Sequence, residues 1–172
     1  MGEGAWLIAF IAAQRIAELI IARRNTTRLL ADGGVEYRRG HYFLIVGLHA
    51  AWLAALWLLG REHAVDRALL AVFLALQAGR VWTIASLGRR WTTRVIVLPG
   101  APLVARGPYR FMRHPNYLIV ALEIAVVPLA LGLPAVALVF SAANAALLVW
   151  RIRIENAALA SASAAEPPAF TP

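Results

Sequence analysis

Long apolar runs separated by Arg-bearing stretches divide the chain into five segments, at 5–22, 42–60, 66–87, 116–131 and 134–152. Each approaches the ~20 residues that cross ~30 Å of hydrocarbon at about 1.5 Å per residue, so each predicts a membrane-crossing α-helix. The fourth is the shortest and contains Pro128, which predicts a tilted or incomplete crossing. Gly132-Leu133-Pro134 separates the last two segments, and Gly and Pro this close together predict a tight break. The last two segments therefore read as a helical hairpin. The expected fold is all-α and polytopic, with about five transmembrane helices in one domain spanning 1–160. Small residues, polar residues and Pro dominate 161–172, which predicts a disordered tail.

Composition strengthens the membrane reading. Of the 172 residues 61% are hydrophobic, and mean hydropathy is +0.68, against about 45–50% apolar residues in soluble domains. The absence of Cys excludes disulfides, thiolate metal sites and a Cys nucleophile. The four His residues are scattered without partners at zinc spacing, so no metal site is expected. No short apolar stretch followed by a small-residue cleavage site opens the chain, and no removable signal peptide is expected.

Charge then orients the segments. All 17 basic residues are Arg and the net charge is +8. Five Arg fall in 23–40, six in 88–115, and Arg151 and Arg153 follow the last segment. If the segments alternate, these thirteen share one side, and the other side receives only Arg61 and Arg67. That asymmetry predicts an outside N-terminus and a cytoplasmic C-terminus, in a bacterial inner membrane with the chemistry on the cytoplasmic side. A basic charge on a soluble chain would suggest nucleic acid, but no basic stripe with interleaved aromatics stands outside the apolar segments, so no nucleic-acid partner is expected.

Several polar residues lie where lipid should be. Gln14, Arg15 and Glu18 share a helix face in the first segment, and Gln77 and Arg80 are three apart in the third. Glu123 lies in the fourth and Asn144 in the fifth. A charge at membrane depth costs about 2.5–3.5 kcal/mol on insertion scales, so it persists when paired or when function needs it. Interhelical pairing is one reading of these residues, and a functional role for Glu123 is the other.

The densest polar stretch is 91–117. Gly107-Pro108 marks a turn, and His114-Pro115 opens the fourth helix with Pro in its first turn. Arg113, His114, Tyr109, Asn116 and Tyr117 thus cluster at a helix N-terminus, where free N–H groups and the helix dipole favour a carboxylate or phosphate. A basic juxtamembrane loop that sets topology and binds anionic lipid is the blander reading.

Gly107-x-Tyr109-x-x-x-Arg113-His114-Pro115-x-Tyr117 resembles the signature of the isoprenylcysteine carboxyl methyltransferase family and its phospholipid methyltransferase relatives. Arg151-x-x-x-Glu155 resembles that family's C-terminal element, one helical hairpin further on. The resemblance is strongest over 91–159. Gln14-Arg15-x-x-Glu18, Arg23-Arg24-Asn25, Gly33-Gly34-x-Glu36 and His41-Tyr42 are similar to a bacterial branch associated with O-methylation of polyketide-derived alkylpyrones and related lipids.

The resemblance implies a membrane-embedded methyltransferase that uses S-adenosylmethionine without a Rossmann domain. Ala101, Pro102, Leu103 and Val104 would line the cofactor. Tyr109, Arg113, His114, Pro115, Asn116 and Tyr117 would complete its pocket, and Glu155 would bind it from the C-terminal element. Arg151 would face the methyl acceptor, with His114 or Glu123 as the candidate base if one is needed. Asn156 stands where the family usually has a second acidic residue, and the aromatic, acidic tail of prenylcysteine enzymes is missing. Both departures favour a small lipophilic acceptor from the bilayer over a prenylated protein. The expected reaction is O-methylation of a carboxyl, enol or phenol oxygen. The alternatives are a phospholipid or amine N-methyltransferase and a non-enzymatic scaffold with a lipid-binding loop.

Overall fold

The computed structural model describes residues 2–37 and 41–164. Arg38, Arg39 and the expected polar tail from residue 165 onward lie outside the described residues. Five helices form, α1 (Glu3–Ala31), α2 (His41–Gly60), α3 (Arg67–Leu87), α4 (Pro115–Ala130) and α5 (Pro134–Ala164). Two-residue strands β1 (Val35–Glu36) and β2 (Ile96–Val97) pair antiparallel, with Val35 opposite Val97. The expected hairpin is present: α4 and α5 pack together across the Leu131-Gly132-Leu133 turn. The Pro128 carbonyl closes that turn, accepting the N–H groups of Leu131 at 3.1 Å and Leu133 at 2.8 Å.

Two helices run past the ends that the apolar pattern predicted. The first apolar segment ends near Ala22 and the fifth near Ile152, yet α1 continues to Ala31 and α5 to Ala164. Arg and Ala end or dilute an apolar run without ending a helix, because both are good helix formers. α1 stops where Gly33 takes φ +88°. There the N–H groups of Asp32 and Gly34 return to the carbonyls of Arg28 (2.9 Å) and Leu29 (2.8 Å). The 29 residues of α1 measure roughly 43 Å at 1.5 Å per residue, so its last turns project beyond the hydrocarbon. They carry the β1–β2 ribbon and the polar loops at that end.

Four helices are long and apolar enough to cross a membrane: Glu3–Ala31, Tyr42–Gly60, Arg67–Arg90 and Pro134–Ser161. α4 has 16 residues, roughly 24 Å, and sits inside the bundle between α3 and α5. Its buried residues Val120, Glu123, Ile124, Val127 and Ala130 recur every three or four positions along one stripe. All but Glu123 meet Leu7, Ile8 and Ile11 of α1, Trp52 and Leu56 of α2, and Phe73 of α3 in one apolar core. Phe43, Leu58, Leu74, Val81, Leu138 and Val139 are each more than half exposed on outward faces, as lipid-facing side chains are.

One polar cluster interrupts this core. Glu18 accepts Arg15 Nη1 at 3.0 Å and both Nε and Nη2 of Arg80, the latter at 2.6 Å. Glu123 Oε2 accepts Arg15 Nη2 at 2.5 Å and Arg80 Nη1 at 2.9 Å. Glu123 Oε1 accepts Gln77 Nε2 at 2.6 Å, while Gln14 Nε2 donates to Glu18 at 3.0 Å and to Gln77 Oε1 at 2.6 Å. Two guanidiniums and two carboxylates thus cancel across α1, α3 and α4. The interhelical reading holds for all six residues, and Glu123 is fully buried with both oxygens engaged.

Candidate functional site

The 91–114 loop is held against the bundle by backbone carbonyls that accept side chains. Asn25 of α1 donates to Trp91 O at 2.8 Å and Gly88 O at 3.2 Å, Arg106 Nε to Ser86 O at 2.8 Å, and Arg90 Nη1 to Pro102 O at 2.5 Å. Gly107 is required where it stands. Its φ is +59°, and a Cβ there would lie 2.0 Å from Ser86 Oγ. The signature Gly therefore lets the loop cross directly over the end of α3.

Beneath the loop lies a cavity of about 570 Å³, within the roughly 300–1,000 Å³ typical of small-molecule sites. Its loop side is Ala101, Pro102, Leu103 and Val104; its helix side is His114 just before α4, Asn116 and Tyr117 of α4, and Glu155 and Asn156 of α5. Tyr109 and Arg113 also line it. Tyr117 Oη accepts Arg151 Nε at 2.7 Å and donates to Glu155 Oε2. Arg151 Nη2 donates to Thr93 O at 2.8 Å, and its guanidinium lies 5.4 Å from the centre of the Tyr117 ring. The His114 ring stacks on Tyr117 with centroids 5.2 Å apart, and its Nε2 faces Asn156 Oδ1 at 3.2 Å. Burial, and then the negative charge of Glu155, raises the Tyr109 phenol above its ordinary value, so it stays a protonated donor.

A second cavity of about 290 Å³ lies deeper, between α1, α2 and α5. Its walls are almost entirely aliphatic, with Leu19, Ile45, Val46, Leu53, Leu147 and Leu148 among them. Trp91, Thr92, Asn116, Tyr117 and Arg151 line both cavities, so a single partition separates an outer polar chamber from an inner apolar one. Arg151 is 7% exposed, and with Nε and Nη2 engaged it presents Nη1 without a partner among the described residues. Two buried polar atoms of the partition, Trp91 Nε1 and Asn116 Oδ1, also lack a hydrogen-bond partner. A buried donor or acceptor left unpaired costs about 1–3 kcal/mol, which a polar ligand at the partition would relieve.

The structure brings together most of the residues expected from the sequence. Ala101 to Val104, Tyr109, Arg113, His114, Asn116, Tyr117, Arg151 and Glu155 line the outer cavity. Pro115 does not: it is buried at the first position of α4, behind the wall. Glu123 lines neither cavity and is committed to Arg15, Arg80 and Gln77. Trp91, Thr92 and Thr93 were not expected at the site, although they sit in the same loop. Asn156 was seen only as a departure from an acidic pattern, and it faces His114.

The isoprenylcysteine carboxyl methyltransferase (ICMT) family profile matches residues 69–161. The chain is 37% identical to the Bacillus subtilis uncharacterized protein YpbQ over 166 residues, covering 89% of this chain and 94% of that one. An uncharacterized protein of Haemophilus influenzae is 26% identical over 114 residues, covering 63% of this chain and 66% of its own. No solved structure matches the chain at a significant level.

Proposed function

The chain belongs to the isoprenylcysteine carboxyl methyltransferase family of membrane methyltransferases, and from that premise we propose that it transfers a methyl group from S-adenosylmethionine to an oxygen of a lipophilic acceptor. The observation that carries the proposal is the shared partition: one polar chamber and one apolar chamber meet at Trp91, Thr92, Asn116, Tyr117 and Arg151. A transferase needs two reactants on opposite sides of one point, and most of its rate can come from that alignment and from exclusion of water.

The outer cavity fits the cofactor by the chemistry of its donors. Arg113 has no protein partner among the described residues and can hold a carboxylate, beside the free first-turn N–H of Asn116. Glu155 Oε1 can accept an ammonium or ribose hydroxyl, and the Tyr117 and His114 rings offer π-faces to an adenine or a sulfonium. Bound there, S-adenosylmethionine supplies an electrophilic methyl group on a sulfonium. Arg151 Nη1 then orients the acceptor oxygen and balances its negative charge. The guanidinium is itself held flat by Tyr117 Oη and the Thr93 carbonyl. An acidic carboxyl or enol acceptor reaches the site already ionised, so the residues named here need to position it rather than deprotonate it.

The Arg distribution supports an outside N-terminus, a cytoplasmic C-terminus and five crossings in an inner membrane. Cofactor then arrives from the cytoplasm and acceptor from the bilayer. Calorimetric titration of the purified protein with S-adenosylmethionine tests the reading. Wild type binds, Glu155→Gln and His114→Ala bind at least about tenfold more weakly, and no heat of binding to wild type sinks the proposal. Incubation with labelled cofactor and a bacterial lipid extract then places the label on oxygen; label on a headgroup nitrogen would move the assignment to N-methylation.

A further inference from the structure

The inner cavity is apolar along its walls but not at its depth. Besides the partition residues, Tyr42 and Thr93, five polar side chains from four helices line it: Arg15 and Glu18 of α1, His49 of α2, Arg80 of α3 and Asn144 of α5. Arg15, Glu18 and Arg80 belong to the paired cluster of α1, α3 and α4. Asn144 does not. It is 2% exposed, and its amide has no hydrogen bond and no ion pair among the described residues. His49 Nδ1 lies 2.9 Å from Ile45 O. A carbonyl can only accept, so Nδ1 carries the proton of the neutral ring and Nε2 is left as a bare acceptor. An amide and an imidazole nitrogen thus line an otherwise aliphatic cavity without a partner among the described residues, and a polar group of a ligand there would satisfy both.

Depth separates these groups from the transfer point. Asn144 is seven residues below Arg151 on α5, and His49 is seven below Tyr42 on α2, where Tyr42 stands at the mouth of the same cavity. Seven residues are roughly 10 Å along a helix. The cavity therefore has polar groups at two levels, with Val46, Leu147 and Leu148 between them.

Resting on the methyltransferase reading above, we infer that the acceptor is a lipophilic molecule with two oxygen functions about 10 Å apart, the inner one a neutral hydroxyl bound by His49 and Asn144. A hydroxyl can donate to His49 Nε2 while it accepts from the Asn144 amide. The group is neutral because the nearby charges already cancel: Arg15 and Arg80 are matched by Glu18 and Glu123, and although Arg15 Nε keeps an unpaired N–H, no unmatched cation among the described residues lining the inner level is left for a second carboxylate or a phosphate. A plain hydrocarbon tail would leave both side chains unpaired. His49 and Asn144 are thus specificity-determining for the acceptor and distant from the cofactor.

Binding by the detergent-solubilised, cofactor-loaded full chain tests this, with hexadecanoic acid and its mid-chain hydroxylated derivative as probes. The derivative carries its hydroxyl about 10 Å from the carboxyl. The hydroxylated probe binds about tenfold or more tightly than the plain acid. Asn144→Leu and His49→Phe each erase most of that preference while S-adenosylmethionine still binds, which shows that the variants are folded. Equal affinity for the two probes, no binding of either, or a preference that survives both substitutions overturns the inference. If wild type does not bind S-adenosylmethionine, it is the methyltransferase reading that fails.

Discussion

Arg151 carries more constraints than any other side chain at the partition. Its Nε donates to Tyr117 Oη, its Nη2 to the Thr93 carbonyl, and its guanidinium lies over the Tyr117 ring. One planar fork thus ties α5 to α4 and to the loop while leaving Nη1 for a ligand. A Lys at this position keeps the charge but has a single ammonium, which cannot satisfy Tyr117, Thr93 and an acceptor together. Arg151→Lys is expected to lower kcat about 10- to 100-fold. S-adenosylmethionine affinity, measured by calorimetry, is expected to change less than about threefold, because Arg113 and Glu155 remain in place. Equal losses in kcat and in cofactor affinity would instead assign Arg151 to the cofactor. The place of Arg151 near Glu155 was legible through the resemblance of Arg151-x-x-x-Glu155 to the family's C-terminal element. The placement of Asn144, His49 and Asn156 on the cavity walls was not. An isolated Asn or His in an apolar run looks the same in sequence whether it faces a neighbour, lipid or a cavity, and only the packed helices decide.

Among the elements, the 91–114 loop depends most on one backbone geometry. Gly107 sits at φ +59°, and any Cβ there would meet Ser86 Oγ at 2.0 Å, Ser86 Cβ at 2.9 Å and Trp82 Nε1 at 3.2 Å. Gly107→Ala must therefore lift the loop from the end of α3 and open the outer cavity. Expected costs are about 1–3 kcal/mol of local strain and a loss of cofactor binding, with helix content by circular dichroism unchanged. Ser86→Gly removes the hydroxyl and the Cβ that would clash, so the double variant should regain part of the affinity. A double variant no better than Gly107→Ala alone would show that the φ value, rather than the contact with Ser86, is limiting. The Gly-Pro turn and the Pro that opens α4 were legible from the sequence because Gly and Pro act locally. The true ends of α1 and α5 were not, since hydropathy reports where lipid stops and hydrogen bonding reports where a helix stops. Those two extensions carry parts of the candidate site: Asn25 anchors Trp91 from one, and Glu155 and Asn156 line the outer cavity from the other.

At the scale of the whole molecule, α4 is too short to read as a span by length and too buried to be peripheral. Its far end does meet the opposite side of the bundle, where Asp66 N–H donates to Ala130 O at 2.9 Å and His63 Nδ1 lies 2.7 Å from Leu131 O. Its near end holds the candidate site. What fixes its depth and rotation is the buried cluster, because Glu123 is the only charge on α4 and it is bonded to Arg15, Gln77 and Arg80 at once. The cluster also forms part of the inner cavity through Arg15, Glu18 and Arg80, so stability and site share the same residues. Removing one charge leaves the others unbalanced in a low dielectric, which is costlier than removing a matched pair. Glu123→Gln and Arg80→Gln should each destabilise the bundle by about 3 kcal/mol in unfolding titrations with a denaturing detergent. The double variant should lose clearly less than the sum, with a coupling of at least about 1 kcal/mol. Additive losses would mean that the two side chains act separately, and that α4 is positioned by its apolar stripe alone.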